Sequence, residues 1–293
     1  MKKTLLYSLF TVFTIVSEAK YYQIETVRLK STAGAGVASI LMDESSVLNP
    51  APLAFFSETS IYLQKGSGKI VQDTTGETQE ELDQFGGAIS DSQGSLKGSA
   101  GYFKQKVNRD EQSTITGSLA GNIGESSALG FNFKNKTSTS FSKETQTFSK
   151  DSNKILSAGV LHALSSEFTI GLLGTRSIAK DTQSLVENRA VAGMQYNMME
   201  MFSIMFDLGA NYSTELSSTM LYRAASQLKI FSAFYVRFGL FSDKGSREKG
   251  NGIGLAWVQP KLVLELGLST VKDLAQVVER KTQETMFSLS YRF

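Results

Sequence analysis

The chain has 293 residues, and its 30 Lys and Arg against 28 Asp and Glu give a net charge of +2, too little to supply the basic field of a nucleic-acid binder. It contains no cysteine, which excludes disulfides and thiolate chemistry. Glycine is plentiful at 25 and proline scarce at 3, a balance that suits many strands, because proline cannot donate to a ladder.

The first element is residues 1–19. Lys2 and Lys3 precede an apolar run over 5–16, and the small residues Ser17 and Ala19 follow it. A charged start, an apolar middle and a small-residue cleavage site predict an export signal cut after Ala19. The run is too short to span a bilayer as a helix, which takes about 20 residues. Later apolar windows, at 231–241 and 261–268, are interrupted by Arg237 and Glu265 and keep a period of two. Any membrane crossing must therefore use strands.

Residues 20–56 lack that period. They hold two of the three prolines, a small-residue cluster at 33–38, and a run at 37–48 long enough for one or two helical turns. The segment is too apolar to stay solvated as a disordered leader. It reads as a compact plug or hatch resting in or under the fold formed by the rest of the chain.

Residues 57–293 read as strands of about ten residues that alternate apolar with small or polar side chains. Leu262, Leu264, Leu266 and Leu268 oppose Val263, Glu265, Gly267 and Ser269. Phe234, Val236, Phe238 and Leu240 oppose Tyr235, Arg237 and Gly239. Membrane barrels need strands of about 9–11 residues with one face toward lipid and the other toward the lumen. The glycines and serines of the second face suit a wet interior. Tight links at 122–126, 165–167, 197–201, 229–231 and 259–261 alternate with longer polar ones at 105–112, 134–153, 176–189, 212–218, 242–252 and 270–284. That alternation matches the short and long links of an outer-membrane barrel. Counting back from the end predicts 14 strands, or 12 if residues 58–90 stay outside the wall. The expected fold is all-β, a transmembrane antiparallel β-barrel with an N-terminal plug, in the bacterial outer membrane and in contact with its lipid.

Five charges fall on the lumen face: Asp207, Arg223, Lys229, Arg237 and Glu265. They read as cross-strand ion pairs that brace the barrel, or else as a polar pore lining. Catalytic and ligand-binding motifs are absent. The single histidine, His162, has no supporting motif around it, although Ser157, Ser165 and Ser166 are near in sequence. Gly34-Ala35-Gly36 follows no strand and is no phosphate loop. Asp43-Glu44 lacks the further oxygen ligands a cation needs. The acidic run 73–83 reads as a solvated loop. No enzyme activity, cofactor or metal is expected.

A resemblance adds to this. Gly34-Ala35-Gly36, Asp43-Glu44-Ser45-Ser46 and Asn49-Pro50-Ala51 resemble the N-terminal signature of the FadL-like outer-membrane transport family and its PorV-type relatives. The likeness is close over residues 32–54 and architectural beyond. Pro52 stands where the family often has glycine, and the chain leaves little room for long collecting loops. The resemblance implies a hatch held by Gly34, Gly36, Asn49, Pro50 and Ala51, and passage of small hydrophobic, fatty-acid-like compounds through a gap in the wall. The PorV branch implies instead a structural barrel that docks a protein through its loops, with 134–153 and the helix-patterned 270–281 as contact surfaces. A general diffusion porin is the third possibility.

The chain closes on "MFSLSYRF", where Phe287, Leu289, Tyr291 and Phe293 share one face. A barrel leaves no free edge, so this strand is expected to pair with the first. Its pattern resembles the C-terminal signal that the barrel-assembly machinery reads.

Overall fold

A computed structural model describes residues 23–72, 78–142, 145–178, 188–199, 201–275 and 280–293. The expected signal peptide lies outside the described residues. The wall comprises β1 (Thr59–Gln72), β2 (Thr78–Asp91), β3 (Lys97–Val107), β4 (Asp110–Asn122), β5 (Ser127–Ser142), β6 (Thr147–Ala163) and β7 (Phe168–Ser177). It continues with β8 (Arg189–Met198), β9 (Phe202–Asn211), β10 (Leu221–Lys229), β11 (Phe234–Asp243), β12 (Glu248–Val258), β13 (Leu262–Asp273) and β14 (Arg280–Arg292).

Each strand pairs antiparallel with its sequence neighbour, and β1 closes the barrel against β14. At this seam Ser60 pairs with Arg292, and Phe293 and Thr59 exchange backbone hydrogen bonds of 3.0 and 3.2 Å. The 14-strand count expected from link parity is the observed one. Register runs unbroken around the barrel except for a shift at Ile70/Val71. The wall gap that the family resemblance implies is therefore not present between these strands.

The period of two sets which side chains face out. Leu63, Ile115, Phe131, Leu172, Phe238 and Leu255 are exposed on the outer face, while their strand neighbours turn inward and are buried. A belt of this kind suits hydrocarbon and is costly in water. Among the described residues no helix is long and apolar enough to cross a membrane.

The links differ from expectation at one end of the barrel. The stretches 105–112, 134–153 and 242–252 are mostly strand, and β3 turns into β4 through Asn108 and Arg109 alone. Short and long links thus do not alternate strictly. The polar Ser, Thr and Lys of 134–153 mark where the chain leaves the apolar belt, but the ladder continues to the pair Ser142/Thr147. Threonine is itself a good strand former. Likewise β2 already includes 78–83 of the acidic run expected to be a loop, whose residues 73–77 lie outside the described residues. Val271–Asp273 belong to β13 and Arg280 starts β14, so the helical pattern over 270–281 is not adopted at either end. Its residues 276–279 are outside the described residues.

The N-terminal segment fills the half of the lumen nearer the short links. Helix α1 (Val27–Ser31) is capped by the Thr26 hydroxyl, which accepts from the Leu29 N–H at 3.2 Å. It ends in a Schellman turn, with Gly34 N–H on Leu29 O at 2.7 Å and Ala33 N–H on Lys30 O at 3.3 Å. Residues 37–48, long enough for one or two helical turns, form isolated hydrogen-bonded turns and no continuous helix; one has the helical i→i−4 bond, Leu48 N–H on Glu44 O at 2.8 Å. Asp43, Ser45 and Ser46 are turn formers that compete with a helix. A 3₁₀ turn at Ala51–Phe55 follows Pro50 and packs Leu53 against Ala120, Ala128 and Leu161 at the barrel end.

Candidate functional site: the plugged lumen

The wall meets the N-terminal segment through glycines. Eight inward-facing glycines form four directly opposed cross-strand pairs: Gly130/Gly159, Gly171/Gly193, Gly239/Gly252 and Gly254/Gly267. Each pair receives a plug segment. Asn49, Pro50 and Ala51 lie on the first pair, and Val37 and Ala38 on the second. The backbone of Lys30–Thr32 lies on the third, and Val27 and Ser31 on the fourth. A methyl at Gly130 would come within 2.6 Å of the Ala51 nitrogen, and one at Gly171 within 2.5 Å of the Val37 oxygen. Real Cβ atoms do not approach that closely, so backbone-to-backbone seating here requires glycine. The sequence reading of these glycines as a wet lining is corrected: they are a dry contact surface. The available signal was their pairing, which becomes visible only once register is known.

Polar groups lock the seat. The expected lumen charge Asp207 accepts from the Gly36 N–H at 2.9 Å and from the Val37 N–H at 3.3 Å. Its register partner Arg223 donates to the Gly34 carbonyl at 3.0 Å. Gly34 and Gly36 have φ of 78° and 149°, backbone that favours glycine. Asn49 donates to the Val37 carbonyl at 2.7 Å and accepts from the Ala51 N–H at 3.1 Å, which ties the two halves of the plug together. The wall adds donors of its own: Thr116 and Asn132 to the Ser46 carbonyl, and Thr169 to the Ala38 carbonyl, at 2.7 to 3.0 Å.

Arg237 and Glu265 pair with each other at 2.5 Å, and Gln227 and Ser288 complete their hydrogen bonds. Beside them the plug's own Arg28–Glu44 pair is buried at 2.7 Å. Asp43 accepts from Ser60 at 2.9 Å and Ser290 at 2.8 Å, on the two strands that form the seam. Burial pushes the carboxyls of Asp43 and Glu44 above the usual carboxylate range. Lys229 stands apart near the short-link end, 5.9 Å from the centre of the Tyr235 ring.

Beyond the plug, toward the other end, lies an open cavity of about 860 Å³. Val47 and Leu48 of the plug form part of its floor, with Phe103, Leu173, Val191 and Leu221 from the wall. An Arg189–Asp243 pair at 2.8 Å borders it. Its size falls in the range of small-molecule sites.

His162 lies outside this cavity. It faces outward near a short link and shares a 2.7 Å hydrogen bond with Ser127, not with Ser157, Ser165 or Ser166. Among the described residues no three His, Asp or Glu side chains converge to hold a metal. Phe287, Leu289, Tyr291 and Phe293 all face outward, with the Tyr291 and Phe293 rings stacked at 6.1 Å.

The architecture defines a plugged β-barrel of the membrane type. Solved structures share its fold. The chain is similar to the Ralstonia pickettii toluene transporter TbuX at 10% identity and a TM-score of 0.72, over 92% of this chain and 99% of that one. It is similar to the CymD monoaromatic hydrocarbon channel at 10% identity and 0.70, over 90% and 96%. A Pseudomonas aeruginosa FadL homologue aligns at 10% identity and 0.62, over 92% and 98%. The resemblance read from residues 32–54 agrees with these neighbours at the level of fold. No family profile matches the chain, and no curated protein matches it.

Proposed function

We propose that this chain is an outer-membrane channel through which small hydrophobic compounds diffuse, with residues 20–56 as its hatch. The observation that carries this reading is the cavity with an apolar floor, built over a plug inside an apolar-belted barrel. The names of the neighbours, a toluene transporter and a monoaromatic hydrocarbon channel, support the substrate class. Transfer from water would be driven by about 0.8 kcal/mol per buried CH₂. Since the ladder is unbroken, the compound leaves past the plug, and the glycine seat is what must release. The outward C-terminal aromatics serve as the address for the barrel-assembly machinery.

The test is initial uptake of radiolabelled toluene by bacterial cells carrying the protein in their outer membrane. Uptake above that of cells with empty vector is expected, and none would overturn the channel. Deleting residues 20–56 should change the rate; an unchanged rate sinks the hatch.

One observation favours a second reading, a barrel that docks a protein partner. The β5–β6 hairpin is the longest in the wall and carries Phe141 and Phe148 packed at 5.0 Å, with Arg109 4.7 Å from the Phe141 ring. Co-purification of a stoichiometric partner, lost on Phe148→Ser, is the outcome this reading requires.

A further inference from the structure

We infer that the cavity is built for an apolar molecule bearing one uncharged hydrogen-bonding group, such as a phenol, alcohol or amide, in preference to a pure hydrocarbon or a carboxylate. This rests on the proposed channel function and specifies its cargo.

The cavity wall has two chemistries. Leu173 on β7, Val191 on β8 and Leu221 on β10 are apolar, and Phe103 on β3 joins their cluster. Along β4 to β6 the lining is polar. There Gln112, Thr114 and Ser157, with Ser46 of the plug, are 2%, 5%, 5% and 0% exposed. Among the described residues, the Gln112 Nε2 and the hydroxyls of Thr114, Ser157 and Ser46 have no hydrogen-bond partner, and neither does the Ser269 hydroxyl elsewhere on the lining. A buried donor left unmade costs about 1–3 kcal/mol. Nothing in the plug seat or the ladder explains four such groups on one lining. A ligand that supplies an acceptor and a hydroxyl or amide donor there removes that cost, while its apolar body meets Leu173, Val191 and Leu221.

The charged groups argue against an anion. Lys30 pairs with Glu284 at 2.8 Å, Arg189 with Asp243 at 2.8 Å, and Arg223 donates to Gly34 at 3.0 Å, while Lys134 donates to the Val47 carbonyl. Four of the five cations on the lining thus have a protein partner, and Lys136, the fifth, is not free either, while the Nε atoms of Arg189 and Arg223 have no hydrogen-bond partner among the described residues. A carboxylate entering the cavity would compete with the partners these cations already have and would meet Asp151 and Glu248 on the same lining. A neutral polar group faces neither penalty. Sites built to hydrogen-bond a substrate group discriminate strongly against the analogue that lacks it, because their own polar groups are then stranded.

The test measures binding by calorimetry to the full mature protein in lipid nanodiscs, with empty discs subtracted. The probes are three molecules of one shape: p-cresol, toluene and 4-methylbenzoate. p-Cresol is expected to bind at least about tenfold tighter than toluene, and 4-methylbenzoate weakest; tenfold corresponds to about 1.4 kcal/mol. In Thr114→Val with Gln112→Leu the cresol preference should fall severalfold while toluene binding holds or improves. Ser157→Ala, a smaller change, should give a partial loss and guards against misfolding of the double variant, which heat-dependent gel migration detects. Equal binding of cresol and toluene, tighter binding of the benzoate, or no binding of any probe overturns the inference. The toluene-uptake assay is separate. Uptake without cresol preference leaves the channel standing and removes this inference, and cresol preference without uptake does the reverse.

Discussion

Single wall glycines set how closely the N-terminal segment seats against the barrel. A methyl at Gly252 would fall on the Lys30 carbonyl, whereas one at Gly121 meets nothing within 4 Å. Gly252→Ala is expected to loosen the plug by about 1–3 kcal/mol, the usual cost of overpacking. In planar bilayers its mean conductance should rise about tenfold or more, with Gly121→Ala unchanged. Equal conductance of the two would show that the glycine pair does not hold the plug. Asp43 gives the seat a pH dependence. Because burial raises its value, a plug with Asp43 protonated is favoured. Its contribution is full below the ordinary aspartate value, roughly 3.9. It is lost as pH rises from there through the raised value. Glu44 beside it, also raised, is offset by its Arg28 partner. Proteolysis of the plug should therefore accelerate with rising pH, and Asp43→Asn should flatten most of that rise. Of these residues, Gly34, Gly36 and Asn49 stood out in the sequence through the family resemblance. The wall glycines did not, because a glycine on the inward face reads the same whether water or a backbone covers it.

At the scale of elements, the plug and the wall depend on each other unequally. The wall's ladder is complete without the plug, since each strand is paired on both sides. The plug holds one short helix of five residues and one 3₁₀ turn, too little to fold alone. Removing residues 20–56 should therefore leave a barrel that still migrates with the heat-dependent shift of a folded one. Its melting temperature should be lower, because Asp207, Arg223 and Asn132 would lose plug partners. A truncated chain that melts at the same temperature would mean that the plug adds no stability. Strand identity was legible within the apolar belt, since the period of two follows from one lipid face and one lumen face. Strand ends were less so at the end away from the plug, where polar pairs such as Thr139/Lys150 extend the ladder past the apolar belt.

At the scale of the whole molecule, the apolar outer face is expected to meet lipid. The single tryptophan reports on it. Trp257 shares the outward face of β12 with Ile253 and Leu255, one short link from the barrel end. In reconstituted membranes its emission should be blue-shifted and quenched by lipids brominated on the acyl chain, and barely by aqueous iodide. The reverse pattern would place this face in water and remove the membrane reading.

What the sequence by itself determined is the barrel: the strand period, the even count and the paired end are local or arithmetic consequences of alternating faces in a closed sheet. It also marked residues 20–56 as something other than wall. What only the tertiary structure decided is how the lumen is used. Cross-strand register places glycine opposite glycine four times and brings Asp207 and Arg223 onto the Gly34–Val37 turn. It also leaves Gln112 Nε2 and the Thr114 and Ser157 hydroxyls without a partner among the described residues around one cavity. Register and closure bring together residues far apart in the chain, and no periodicity along the chain encodes which of them will meet.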